Sequence, residues 1–181
     1  GNGYRENSDF NQHQIFGQLA YAITEKTKVR LEYTHMNYLA KQAGGLSDLQ
    51  FEKDPILSFR DRNWFTVHWN TLAVHFDHEF NSKTVFNVRA FGMISDRKTL
   101  GFLGKITQAD PLGNREMIAG DFKNIGVEAR LLRKYNTKEE SKFNIKGAVL
   151  VGARYYRGLT SSLQGSAPDN DDADFRFLNP N

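Results

Sequence analysis

Apolar and polar residues alternate with a period of two through most of the chain, the pattern of β-strands with one apolar face. Over residues 14–24 one parity carries Ile15, Gly17, Leu19, Tyr21 and Ile23. The polar run Thr24-Glu25-Lys26-Thr27 follows, and then Val29, Leu31 and Tyr33 alternate with Lys28, Arg30, Glu32 and Thr34. This predicts a hairpin with a short turn. The pattern returns with Leu72, Val74, Phe76 and His78, a turn at Asn81-Ser82-Lys83-Thr84, and Phe86, Val88, Ala90 and Ile94. Upstream, Phe65, Val67 and Trp69 hold the opposite parity, which predicts a bulge near Asn70. A third pair runs through Ile125, Val127, Ala129 and Leu131, a turn around residues 136–141, and Phe143, Ile145, Gly147, Val149, Val151, Ala153 and Tyr155.

Six strands of about 10–13 residues in three hairpins are therefore expected. The turns within hairpins are short. The connections between hairpins are long, at about residues 40–62, 97–121 and from 158 onward, and such loops are uncommon in compact soluble domains. The parity opposite the apolar one carries Arg30, Glu32, Arg89, Glu128, Arg130, Lys146 and Arg154. In a soluble sandwich those charges face water and the apolar face meets a second sheet. In a membrane barrel they face a wet lumen and the apolar face meets lipid. Alternation fits both architectures. Strand length and the asymmetry of turns and loops favour the barrel, because about 9–11 residues of strand span a bilayer. Six strands with loops this long predict one section of a larger barrel rather than a complete one.

Composition narrows the functional classes. The 181 residues include 24 Lys and Arg against 21 Asp and Glu, a formal charge of +3 that gives no argument for a nucleic-acid partner. There is no cysteine, which excludes disulfides, thiolate metal sites and cysteine nucleophiles. No apolar run approaches the roughly 18 residues of a membrane helix. Residues 1–10 are polar and do not read as a signal peptide.

Catalytic signatures are missing: no phosphate-cradling glycine loop, no G-x-S-x-G elbow and no H-E-x-x-H. An enzyme is not expected. His75 and His78 would point to opposite faces of a strand, while His75, Asp77 and Glu79 share one face near a turn. The acidic run Asp169-Asn170-Asp171-Asp172-Ala173-Asp174 fails the calcium-loop pattern at Ala173 and reads as a solvated loop. Four arginines, Arg60, Arg62, Arg97 and Arg115, lie in or beside the long loops. Guanidinium groups bind carboxylates and phosphates through charge-assisted bonds, so these four are the candidate ligand-binding residues for a small polyanion. Pairing with Asp54, Asp61 and Asp96 is the competing reading. Trp64, Phe65, Trp69, Tyr155 and Tyr156 are candidates for an aromatic girdle at a membrane interface.

Several segments resemble the barrel of TonB-dependent outer-membrane receptors of the ferric-citrate type. They are Tyr38-Leu39-Ala40-Lys41-Gln42-Ala43-Gly44-Gly45-Leu46-Ser47-Asp48, Phe51-Glu52-Lys53-Asp54-Pro55, Arg62-Asn63-Trp64-Phe65 and Trp69-Asn70. Phe91-Gly92, Leu100-Gly101-Phe102, Ile118-Ala119-Gly120-Asp121-Phe122-Lys123-Asn124 and Asp172-Ala173-Asp174-Phe175-Arg176 add to the likeness. The resemblance implies an all-β, antiparallel transmembrane barrel of 22 strands, with residues 1–181 as a partial barrel domain and the plug domain absent from this chain. It implies location in the outer membrane of a Gram-negative bacterium, in contact with outer-membrane lipid. It also implies uptake of a ferric chelate as transported ligand, with ferric dicitrate the expected cargo, no cofactor, and TonB acting through the plug region. Another siderophore, cobalamin or an oligosaccharide is the alternative cargo, and a soluble β-sandwich binding or adhesion module the alternative architecture.

Overall fold

The computed structural model describes residues 1–136 and 146–179. Six strands follow one another: β1 (Phe10–Thr24), β2 (Thr27–Lys41), β3 (Trp64–Asn81), β4 (Thr84–Gly101), β5 (Arg115–Asn136) and β6 (Lys146–Ala167). They form one antiparallel sheet in the order β1-β2-β3-β4-β5-β6, so each strand pairs with its neighbours in sequence. Among the described residues a single short helix, α1 (Asp48–Lys53), sits in the β2–β3 connection. It starts at a capping box in which the Ser47 side chain accepts from the Gln50 amide and Gln50 accepts from the Ser47 amide.

The register sorts side chains into rows that run across the sheet. Leu19, Leu31, Val74, Ala90, Val127 and Tyr155 form one row. Above and below it lie Gly17, Tyr33, Leu72, Gly92, Ile125 and Arg157, and Tyr21, Val29, Phe76, Val88, Ala129 and Ala153. Most of their large apolar members are exposed, so this face is an apolar band without a covering layer. From Phe80 to Asn70 the band spans roughly 33 Å of strand at about 3.3 Å per residue. It ends at an all-polar row: His13, Asn37, His68, Asp96, Asp121 and Ser161. The opposite face carries Ala20, Arg30, His75, Arg89, Glu128 and Arg154 in a single row.

Three sequence expectations change. The strands run 15–22 residues rather than about 10–13, because they continue past the polar row and take up part of each expected long connection. The bulge near Asn70 is not there: β3 pairs with β2 and β4 without a break from Trp64 to His78. The parity switch is real and marks where β3 leaves the apolar band. The irregularities lie instead next to the turns, at Ala22/Thr24 and Glu79/Asn81. Phe143, Ile145 and the expected turn at 136–141 lie outside the described residues, apart from the backbone of Asn136.

The buried core is small and sits beyond the polar row, where the chain folds back on itself. Leu100, Met117 and Ala167 are fully buried against Trp64, Phe175 and Phe177. Residues 168–178 cover this cluster and are tied down by the Leu178 amide on the Ser166 carbonyl and by Trp64 Nε1 on the Asp171 carbonyl at 2.8 Å. Gly101 closes β4 at φ +138°, where a Cβ would lie 2.1 Å from Asn63 Oδ1. Asn63 uses that close approach to accept from the Phe102 amide and donate to the Phe102 carbonyl.

Candidate functional site

The four candidate arginines do not converge. Arg97 and Arg115 lie on opposite faces of the sheet: Arg97 shares its face with Gly120, its partner in register, whereas Arg115 lies on the parity of Met117. Arg97 projects from the charged face, is exposed, and stacks over the Phe122 ring at 5.4 Å. Among the described residues it has no ion-pair partner.

Arg60, Arg62 and Arg115 are 4%, 5% and 2% exposed. Arg62 makes a two-pronged contact with Asp110, from Nε at 3.0 Å and Nη2 at 2.7 Å, and reaches Asp169 from Nη1 at 2.6 Å. Arg115 donates to the Pro168 carbonyl at 2.9 Å, the Asp172 carbonyl at 2.7 Å and Asn170 Oδ1 at 2.5 Å, and at 3.4 Å to the Arg62 carbonyl. Arg60 donates to the carbonyls of Gln108 and Lys105 at 2.8 Å and stacks on Phe102. These three arginines thus bind the β4–β5 connection and residues 168–172 to the end of the β2–β3 connection. None of the competing partners Asp54, Asp61 and Asp96 pairs with a candidate arginine: Asp110 and Asp169 pair with Arg62, and Asp96 pairs with His68. Burial pushes the Asp110 carboxyl up, but the Arg62 hydrogen bond, the Leu112 amide and the Arg62 charge outweigh it and hold the group below the ordinary carboxylate range. The Asp110 bond holds the Arg62 guanidinium above its ordinary range against the opposing effect of burial.

The acidic run at 169–174 is accordingly more than a solvated loop. It supplies carboxylate, amide and carbonyl acceptors to Arg62 and Arg115, and Asp174 pairs with Arg176 at 2.6 Å. The expected aromatic girdle divides between faces. Trp64 and Tyr155 lie on the parity of the apolar band, Phe65, Trp69 and Tyr156 on the other, and Trp64 is taken up by the buried cluster.

Below Arg97 the charged face forms a cavity of about 560 Å³ whose lining includes His75, Asp77, Arg89, Glu128, Arg130 and Arg154. Arg30 donates to His75 Nδ1 at 3.2 Å, so His75 carries its proton on Nε2 and donates it to Glu32, also at 3.2 Å. Glu128 pairs with Arg130 and, at 3.9 Å, with Arg154. Arg89 and Arg154 lie over Phe91 at 6.0 and 5.8 Å. Among the described residues no three His, Asp or Glu groups gather as metal ligands. The residues were visible in the sequence as charged alternates, but their convergence depends on strand register, which brings together positions 30 to 154.

No family model and no curated protein matches the chain. A solved structure does: the ferric citrate transporter FecA in its unliganded form, with a TM-score of 0.77 and 19% identity. The match covers 91% of this chain and 23% of that one, so the chain spans about a quarter of the length of the transporter it matches. At this identity the likeness is one of fold: six antiparallel strands like a section of a receptor barrel wall, with two-residue turns at the described hairpin ends and long connections at the other end.

Proposed function

We propose that this chain forms part of the wall and external loops of an outer-membrane receptor of the TonB-dependent kind, and that the receptor takes up a ferric chelate, with ferric dicitrate as cargo. The observation that carries the reading is the FecA-like fold over 91% of the chain combined with an uncovered apolar band on one face only. At about 40° of strand tilt the band is roughly 25 Å high, the height of the lipid-facing belt of membrane barrels. Such a face in water would favour aggregation. The free edges of β1 and β6 would pair with the remaining wall.

In this reading the charged face lines the lumen. Arg97 meets the cargo first: its guanidinium is accessible, and a carboxylate chelate offers the planar pairs of oxygen atoms that a guanidinium binds. Arg89 and Arg154 continue the cationic path beneath it. Arg60, Arg62 and Arg115 shape the loops around that path, their donors being occupied by protein acceptors. The action is binding and passage rather than bond chemistry, and TonB acts through the plug region of the complete receptor.

The test is a titration of the complete receptor in detergent with ferric citrate and, as control, ferrichrome. Saturable binding of ferric citrate alone supports the assignment. Binding of ferrichrome alone, or of neither, removes citrate as cargo. A receptor that stays monodisperse in water without detergent overturns the membrane reading.

A further inference from the structure

Two cations interrupt the apolar face at its loop-side margin, and they lie together. Lys123 pairs with Leu159 and Arg157 with Ile125, which sets the two diagonally on adjacent strands, about 7–8 Å apart at the backbone. Both are exposed, and neither has an ion-pair partner among the described residues. Both line one groove of about 610 Å³ on this face, with Tyr33, Leu72, Ile94 and Ile125. The groove exists because Gly92 stands where its row-mates Leu72 and Ile125 carry large side chains. A Cβ at Gly92 would meet nothing nearer than the Asn124 carbonyl at 3.6 Å, so the space above it is open. The floor is apolar, and the carboxylates of Asp96 and Asp121 belong to the polar row beyond it.

We propose that this groove holds a lipid whose headgroup carries phosphate, with the phosphate between Lys123 and Arg157 and an acyl chain lying over Gly92. The inference rests on the reading of this face as lipid-facing. Charge complementarity selects the occupant. A cation at the margin of an apolar belt can snorkel toward water alone, but two unpaired cations beside an open apolar groove match a ligand with an anionic head and an apolar tail. The guanidinium supplies a two-pronged contact to phosphate and the ammonium a point charge.

The complete receptor, in mild detergent, is titrated with short-chain phosphatidylglycerol, phosphatidylcholine and inorganic phosphate, and binding is read by native mass spectrometry. The wild type is expected to bind phosphatidylglycerol in preference to the other two. The double variant Lys123→Gln/Arg157→Gln should bind it at least about tenfold more weakly, the scale of a lost charge-assisted bond. Gly92→Leu, which fills the groove and keeps both charges, should weaken it as well, and Lys83→Gln, a charge removed from the opposite end of the strands, should not. Equal affinity in the double variant and wild type overturns the site in favour of simple snorkelling. Inorganic phosphate binding as tightly as the lipid overturns the lipid as occupant. Heat-modifiable migration, the mark of a folded barrel, is checked for each variant. A wild type that lacks it defeats the membrane reading, whereas a folded wild type indifferent to the lipid defeats this proposal alone.

Discussion

Replacing Arg115 by alanine should release residues 168–178 from the sheet and leave the strands paired. The side chain is 2% exposed and holds this segment through three hydrogen bonds of 2.9 Å or less, to Pro168, Asp172 and Asn170. At the lower end of the range for bonds to a charged donor, about 1.5 kcal/mol each, the loss is roughly 4–5 kcal/mol. Asp172 is exposed and Asn170 half-buried, so water recovers part of this, leaving about 3 kcal/mol. That corresponds to a shift of about 150-fold in the docking equilibrium. Native-state hydrogen exchange on the complete receptor reads it directly. The amides of Asn170, Asp174 and Leu178, bonded to Pro168, Asp172 and Ser166, should exchange about two orders of magnitude faster, while those in the β3–β4 ladder keep their protection. Arg115→Lys keeps the charge and loses the fork, so it should fall between. If the three amides keep wild-type rates in Arg115→Ala, the arginine is not what holds the segment. Faster exchange throughout the sheet would show that the segment and the wall open as one unit.

Further outcomes follow from the same geometry. Arg97→Ala should weaken ferric citrate binding by at least about 1 kcal/mol in a calorimetric titration, without loosening residues 168–178; unchanged affinity removes Arg97 as a ligand contact. Asp110 has a folded-state pKa below its ordinary value, so its contribution is complete above the ordinary carboxylate pKa of about 3.9 and is lost as pH falls through the lower folded value. Exchange protection of residues 102–114 should therefore collapse on acidification, and Asp110→Asn should show weak protection at every pH; a pH step that survives this substitution assigns it elsewhere. Val74→Arg, in the middle of the apolar band, should destabilise the folded receptor in lipid by about 2–4 kcal/mol in urea unfolding, whereas His75→Arg, one residue on and facing the charged side, should cost far less. Equal costs would show that the two faces do not meet different solvents.

The alternation that revealed the strands is a local property, and it worked where one face meets an apolar surface and the other does not. Ile15, Leu19, Val29, Leu31, Val74, Val88, Val127 and Val151 all lie on the face that their parity predicts. The signal fades at the row of His13, His68 and Asp96, where the apolar face turns polar while the opposite face mixes Met36, Trp69 and Phe122 with Gln14, Ser95 and Thr160, and so the full extent of β4, β5 and β6 beyond it is not legible. The parity switch at Asn70 was legible, but a bulge and a change of surroundings produce the same switch in a sequence. The helix at 48–53 does have a local signal, Ser47 followed three residues later by Gln50, which lies outside any period-two pattern. The arginine network had none: Arg62 meets Asp110 and Asp169 across 48 and 107 residues, and no spacing rule reaches so far. For the same reason the sequence marks four loop arginines as equivalent where the fold buries three and exposes one.

Because every strand pairs only with its neighbours in the chain, the wall is a ribbon whose length can change without rewiring. Inserting or deleting a hairpin would alter the width by one fixed increment and leave the other ladders in register. A single strand could not be added in this way. It would reverse the direction of every strand after it and carry their two-residue turns and long connections to opposite ends of the sheet. The unit of growth is therefore two strands, and a sheet built on this plan can widen only in even steps.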